Sequence, residues 1–319
     1  MSVSTPCAPG PVVAERPSVS AVVATRDRLG LLRRAVRSIL EQRYAGRIEV
    51  VVVFDRSDPV DLGIDAPPGR TVRILRNERT AGLAGARNTG VWNATGEFVA
   101  FCDDDDEWLP DKLTRQVAVL ERHPEASLAA TGIEIVSDVD GRSTGRVAEA
   151  ASVSFEDLLR SRVQELHPSS FLARRRTLLD RVGLVDEQIP GSYGEDYEFL
   201  LRAAKHGPIV NVAHPLVRVH WHPTSFFQDR WEVIAGSIRY LLDRYPEFST
   251  NPRGLARLRA RVAFAYAAMG DRGRARSWAR SSLAASPLER RAYLALLVST
   301  GLVPAAGLVR LANRAGRGI

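Results

Sequence analysis

Phe98-Val99-Ala100-Phe101-Cys102-Asp103-Asp104-Asp105-Asp106-Glu107-Trp108-Leu109-Pro110 is an apolar run that stops abruptly in four adjacent aspartates. Four neighbouring carboxylates repel one another, so they persist most easily where a cation neutralises them. Hard oxygen ligands at the end of a strand suit Mg²⁺ or Mn²⁺, ions that bridge the phosphates of a nucleotide. Ligands of open α/β sheets also bind beyond the carboxyl ends of the strands. The plainer alternative is a solvated acidic turn with Asp106 capping a helix. The apolar strand in front of the aspartates argues against it.

Outward from this stretch, residues 19 to about 132 alternate short β-branched runs with helical ones, the pattern of βαβ units around a mostly parallel sheet. Strands are predicted at 19–24, 48–54, 72–75 and 97–102. Between the first two, Leu29, Leu32, Val36, Ile39 and Leu40 make one helical stripe, with Asp27 placed to cap it. A second half follows, with a helix at 155–159, a strand at 169–173 and a helix at 176–182. The permissive loop Gly191-Ser192-Tyr193-Gly194 then precedes Glu195-Asp196 and a helix running to His206. Beyond about Arg230 the sequence becomes Ala, Leu and Arg at helical spacing. Residues 263–287 there resemble one tetratricopeptide-like hairpin, and 292–309 read as a buried or interfacial helix pair.

The chain has 319 residues, 45% hydrophobic and 25% charged, enough for a sizeable core without staples. Its two cysteines, Cys7 and Cys102, make neither a disulfide framework nor a zinc pattern, which fits a reducing, cytoplasmic setting. Residues 1–16 read as a flexible leader rather than a signal peptide, and no run reaches the roughly 18 apolar residues of a spanning helix. The net charge is +7, and residues 231–319 carry 15 Arg against 5 acidic residues. That tail suggests peripheral contact with an anionic membrane surface at the inner face of the cell membrane, although solvated arginines on helices are the commoner reason. Nucleic acid is not expected, because no basic motif is interleaved with aromatics.

Three further stretches carry candidate chemistry. Asp55 follows the strand Val50-Val51-Val52-Val53-Phe54 and could bond a base or a ribose, or simply make a turn. The segment Arg79-Thr80-Ala81-Gly82-Leu83-Ala84-Gly85-Ala86-Arg87-Asn88-Thr89-Gly90 joins glycines, which let a backbone approach a ligand, to Arg87, whose fork of donors suits phosphate or carboxylate. Its bland alternative is a Gly-tolerant helix start with Arg87 pairing nearby aspartates. His220 and His222 stand at strand spacing, so both would share one face.

In order and spacing these stretches resemble glycosyltransferase family 2 over roughly residues 17–230. The opening strand and loop are Val19 to Arg28, the base-binding strand end is Val53-Phe54-Asp55-Arg56-Ser57, and the mid-domain motif is Gly85-Ala86-Arg87-Asn88-Thr89-Gly90. Phe101 to Trp108 is similar to the DxD segment, and Gly194-Glu195-Asp196-Tyr197-Glu198 to the acidic helix start. The resemblance implies a GT-A fold, Rossmann-like with helices flanking the sheet, over 17–230, followed by an α-helical extension over 231–319. It implies inverting transfer of a sugar from a nucleotide diphosphate sugar, of UDP or dTDP type, to an acceptor glycan, glycolipid or small molecule, within cell-surface polysaccharide, glycolipid or glycoconjugate biosynthesis. Asp196 would be the catalytic base. Thr25, Asp55, Arg87, Asp103 and Asp104 would bind the donor, and Asp105 and His222 the Mg²⁺ or Mn²⁺. Glu195 and His220 would stand behind them. The first loop has Thr25-Arg26-Asp27-Arg28 where a Tyr-Asn pair is common, and Phe54-Asp55 replaces two acidic residues, so the base stays open. A nucleotidyltransferase would use an early glycine-rich loop, which is missing here; a nucleotide-sugar-binding scaffold is the non-catalytic alternative.

Overall fold

A computed structural model describes residues 16–137, 141–221 and 229–314. The strands are β1 (Val19–Thr25), β2 (Ile48–Phe54), β3 (Arg70–Arg76), β4 (Phe98–Asp103), β5 (Glu107–Trp108), β6 (Leu128–Ser137), β7 (Ser143–Arg146), β8 (Ser152–Val153), β9 (Leu172–Arg174) and β10 (Ile209–Trp221). The helices are α1 (Leu29–Leu40), α2 (Leu83–Asn93), α3 (Lys112–Arg122), α4 (Phe155–Arg160), α5 (Arg175–Thr177, continuing as a π turn), α6 (Glu195–His206), α7 (Trp231–Arg244), α8 (Pro252–Ala268), α9 (Arg272–Ala285), α10 (Arg290–Ser299) and α11 (Ala305–Arg314).

One sheet runs in the order β3-β2-β1-β4-β9-β6-β10-β5. Its first four strands are parallel, β9 is antiparallel to both β4 and β6, and β6 pairs parallel with β10. Strands covered on both faces read as continuous apolar runs, which is why β1 and β2 contain so many valines. Ala21 and Val23 face α1, whereas Val22 packs on the opposite side with the core shared by α6 and α8. That second core continues from Val99 and Phe101 through Phe199 to Phe264, Ala275 and Ala292, so the C-terminal helices share it. Among the described residues no helix is long and apolar enough to cross a membrane.

Two local expectations change. Arg28, not Asp27, occupies the N-cap of α1, and no side chain caps it; Asp27 sits at φ 55 in a tight turn. The strand expected at 169–173 begins only at Leu172, because Pro168–Ser170 forms a 3₁₀ turn with Pro at its start, where a fixed φ suits a helical turn. The glycines of α2 also serve differently from expectation. A Cβ on Gly85 would lie 1.8 Å from the Thr80 carbonyl oxygen, and one on Gly90 would lie 2.2 Å from Val22, so the protein's own atoms make these close approaches.

Lys112 is fully buried under the aspartate turn, its Nζ 3.8 Å from the Trp108 ring centroid and without a hydrogen-bond partner among the described residues. Burial pushes its amine down to about 7 from 10.5. A base held below its unfolded value contributes stability that is present above pH 10.5 and lost as pH falls through about 7. Lys112→Met, of similar volume, is therefore expected to stabilise the fold by roughly 2 kcal/mol at pH 6 and by much less near pH 10. Chemical denaturation at both pH values measures this; an equal effect at both would show that the buried charge is not the cause.

Candidate functional site

The strand order reverses between β1 and β4, since β2 and β3 extend to one side of β1 and β4 lies on the other. Such a reversal opens a crevice beyond the strand ends. Thr25 ends β1 beside Phe54, and Ala24 pairs with Asp103 at the end of β4. Three functional stretches distant in sequence thereby meet at one edge.

At the base of the crevice Asp55 is buried, its Oδ1 accepting from Asn77 Nδ2 at 2.8 Å and from the Gly82 amide at 3.0 Å. Asn77 Oδ1 in turn accepts from Thr89 of α2 at 2.8 Å. Asp55 is thus fixed between the end of β2 and the start of α2.

The four aspartates form a turn closed by the Asp106 amide donating to the Asp103 carbonyl at 3.1 Å. The turn spreads the side chains over several partners, with Asp104 and Asp105 sharing Arg28, which relieves the repulsion expected from their adjacency. Asp103 accepts from Arg87 at 2.5 Å. Asp104 accepts from Thr25 Oγ1 at 2.7 Å and pairs with Arg28, which also reaches Asp105 at 2.6 Å. Burial still raises Asp104 to about 6, against the pull of Thr25 and Arg28. Asp106 is buried, accepts from Ser169 Oγ and lies 3.3 Å from His167 Nδ1. Burial, together with the charge of Asp103, pushes it well above the usual carboxylate range.

Opposite the turn, Gly194 at φ 79 supplies the left-handed residue before α6. It places Glu195 and Asp196 in the first turn of that helix. Arg87, whose side chain is 4% exposed, spans the gap by donating to Asp103 and, at 2.7 Å, to Glu195. Burial works against its charge, yet the two carboxylates hold the guanidinium above its ordinary value. Burial raises Glu195 to about 7 despite Arg87. Asp196 moves the other way: burial opposes its charge, but the ion pair with Arg162 keeps it below the usual range. Two adjacent carboxyls are thus driven apart, one toward the neutral form and one held ionised, the separation that marks acid–base assignments.

The candidate residues Thr25, Asp55, Asp103, Asp104 and Asp105 come together at the strand ends, with Asp196 and Glu195 across the gap. Arg87 lies beneath the crevice with both terminal nitrogens engaged, one by Asp103 and one by Glu195. His220 Nε2 bonds Glu107 at 2.7 Å, at the far end of the aspartate turn. His222 lies outside the described residues. Sequence reasoning gave no individual role to Arg28, Arg162, His167 or Ser169. Arg162 and His167 sit in an irregular segment with no periodicity to single them out.

Oxygen donors of this kind suit a hard divalent ion. Asp105 is the more open carboxylate, its side chain 23% exposed against 2% for Asp106. A second set is formed by Asp103, Asp106 and His167, whose ligand atoms lie within 4.8 Å of one another. Burial lowers His167 toward the neutral form that a ligand needs.

The succinoglycan biosynthesis protein ExoO of Rhizobium meliloti is 36% identical over 141 residues, 44% of this chain, and the match spans only 40% of that relative. The UDP-Glc:alpha-D-GlcNAc-diphosphoundecaprenol beta-1,3-glucosyltransferase WfgD of Escherichia coli is 26% identical, covering 59% of this chain and 70% of its own. The crystal structure of S. aureus TarS 1-349 in complex with UDP-GlcNAc superposes with a TM-score of 0.61 at 18% identity, covering 94% of this chain and 92% of that one. At that identity the likeness shows the fold alone, a GT-A sheet flanked by helices. The family model described as Glycosyl transferase family 2 matches residues 20–182, which takes in β1, the Asp55 strand end, the Arg87 helix and the whole aspartate turn. The chain belongs to glycosyl transferase family 2.

Proposed function

We propose that this glycosyltransferase moves a sugar from a nucleoside diphosphate sugar to an acceptor hydroxyl with inversion, in the assembly of a cell-surface polysaccharide or glycolipid. The observation that carries the reading is the meeting, across one crevice, of the aspartate turn after β4 with Asp196, paired with Arg162, at the start of α6. Asp196 takes the proton from the acceptor hydroxyl as that oxygen bonds to the anomeric carbon. The bond to the nucleoside diphosphate breaks on the opposite face, so the configuration inverts. Asp55 and Thr25 hold the base and ribose side of the donor, and Asp103 and Asp104 its ribose and diphosphate. Arg87 acts through Asp103 and Glu195, setting their positions. The donors named for WfgD and for the TarS complex favour a UDP sugar. Transfer is assigned to residues 17–230, with the helices of 231–319 bracing the start of α6.

Mg²⁺ or Mn²⁺ would be held by Asp105 with His222, and when bound it neutralises charge on the departing diphosphate. Asp105 is preferred because it is open to a diphosphate, whereas Asp106 is buried against Ser169 and His167. The Asp103–Asp106–His167 set is the second reading, favoured by its convergence on one point.

A panel of UDP, dTDP and GDP sugars scored by thermal shift tests both. With Mn²⁺ present, the true donor at one hundred times its Kd is expected to stabilise the protein by about 2.7 kcal/mol, a rise of roughly 4 °C. Asp105→Ala is expected to lose the Mn²⁺-dependent part of that rise. If Asp106→Ala loses it and Asp105→Ala does not, the ion belongs to the second set. No shift with any sugar nucleotide, with or without the ion, would end the transfer reading.

A further inference from the structure

Beside Asp196 the C-terminal helices contribute positive charge that carboxylates do not balance. Arg257 and Arg261, one helical turn apart on α8, reach the two tyrosines that flank Glu195-Asp196. Arg257 donates to Tyr197 Oη at 3.0 Å with its guanidinium 5.7 Å from that ring. Arg261 donates to Tyr193 Oη and lies 5.7 Å from the Tyr193 ring. Neither arginine has a carboxylate within ion-pair distance among the described residues, and Arg257 Nε is buried without a hydrogen-bond partner. Arg162 is the third guanidinium of the group, and Asp196 offsets only that one. Burial lowers Arg261 below its ordinary value, and the like charges of Arg162 and Arg257 add to the effect.

Two guanidiniums held together on neutral phenols are an incomplete arrangement, because partly buried charges are costly without a counter-ion. Arg is the residue whose planar fork suits phosphate oxygens. Given the transfer reading above, on which this rests, the side of Asp196 facing α8 is where the acceptor arrives. We propose that the acceptor carries a phosphate or diphosphate ester and that Arg257 and Arg261 receive this group beside the hydroxyl that Asp196 deprotonates. The helical extension thereby selects the acceptor class, while the strand ends select the donor.

The test uses the full chain with a chelator present, so that no metal draws a diphosphate onto the aspartate turn. Inorganic pyrophosphate and farnesyl diphosphate are titrated by calorimetry into the parent, Arg257→Gln/Arg261→Gln, Arg261→Gln alone and Arg257→Lys/Arg261→Lys. The parent is expected to bind at least one probe, roughly ten-fold or more tighter than the double Gln variant, with the Lys variant intermediate. The single Gln variant keeps the comparison available if the double variant unfolds on heating. Binding of both probes alike supports recognition of the phosphate group itself, and binding of farnesyl diphosphate alone supports a lipid-borne diphosphate. Equal binding by parent and Gln variants, or binding of neither probe by the parent, overturns the proposal. The Mn²⁺-dependent thermal shift with sugar nucleotides, read on the same samples, reports separately on the transfer reading.

Discussion

Asp196→Asn is expected to lower turnover by roughly 10²–10⁴-fold while leaving donor affinity nearly unchanged. The amide keeps the shape and much of the hydrogen bonding of the carboxylate but cannot accept the acceptor's proton. The donor contacts proposed above, at Asp55, Thr25 and the aspartate turn, lie across the crevice and are expected to persist. The pH profile carries a second signature. Arg162 holds Asp196 below the usual carboxylate range, so the acid limb of kcat belongs at unusually low pH. Arg162→Gln removes that pull and is expected to move the limb to higher pH. Near-parent turnover by Asp196→Asn, with the product anomer unchanged by NMR, would show that another group is the base.

Arg87→Ala is expected to cost about 3–5 kcal/mol of stability, because it strands the buried carboxyl of Glu195 and the partly buried one of Asp103. That amounts to a fall in Tm of roughly 5–7 °C. The loss has a pH signature whose sign follows from Glu195. Its carboxyl already sits at about 7 in the folded chain against 4.5 unfolded. A raised acid contributes stability that is fully present below its unfolded value and lost as pH rises through its folded one. Without Arg87 the folded value climbs further, so the deficit should be larger at pH 8 than at pH 5. Adding Glu195→Gln should recover part of it, and the double-mutant cycle isolates the coupling. Additive effects in that cycle would mean that Arg87 and Glu195 do not act as a pair.

Much of the candidate site was legible because its residues lie where a regular element ends, and such ends leave local marks. The break from Phe101-Cys102 to Asp103, the step from Val53-Phe54 to Asp55, and Gly194 before Glu195-Asp196 are all visible without coordinates. Three of the four parallel strands, β1, β2 and β4, were visible for a related reason: burial on both faces demands apolar runs. The rest was hidden for different causes. β10 is interrupted around Pro215, where its register against β6 shifts, so a strand of 13 residues does not read as one. Thr80 and Val22 crowd Gly85 and Gly90, and a glycine pressed by its own protein looks in sequence like one making room for a ligand. Arg87 was singled out as a phosphate binder on chemistry that serves carboxylates equally well.

By itself the sequence determined the parallel half of the sheet, the family and the carboxylates at the strand and helix ends, since these depend on periodicity and on what a few adjacent residues can do. Only the tertiary structure decided how the charges pair. Arg28 with Asp104 and Asp105, Arg87 between Asp103 and Glu195, and Arg162 on Asp196 join elements 16 to 108 residues apart. The physical reason is that a guanidinium's partner is set by distance and burial in space, and neither quantity is written in the order of the chain.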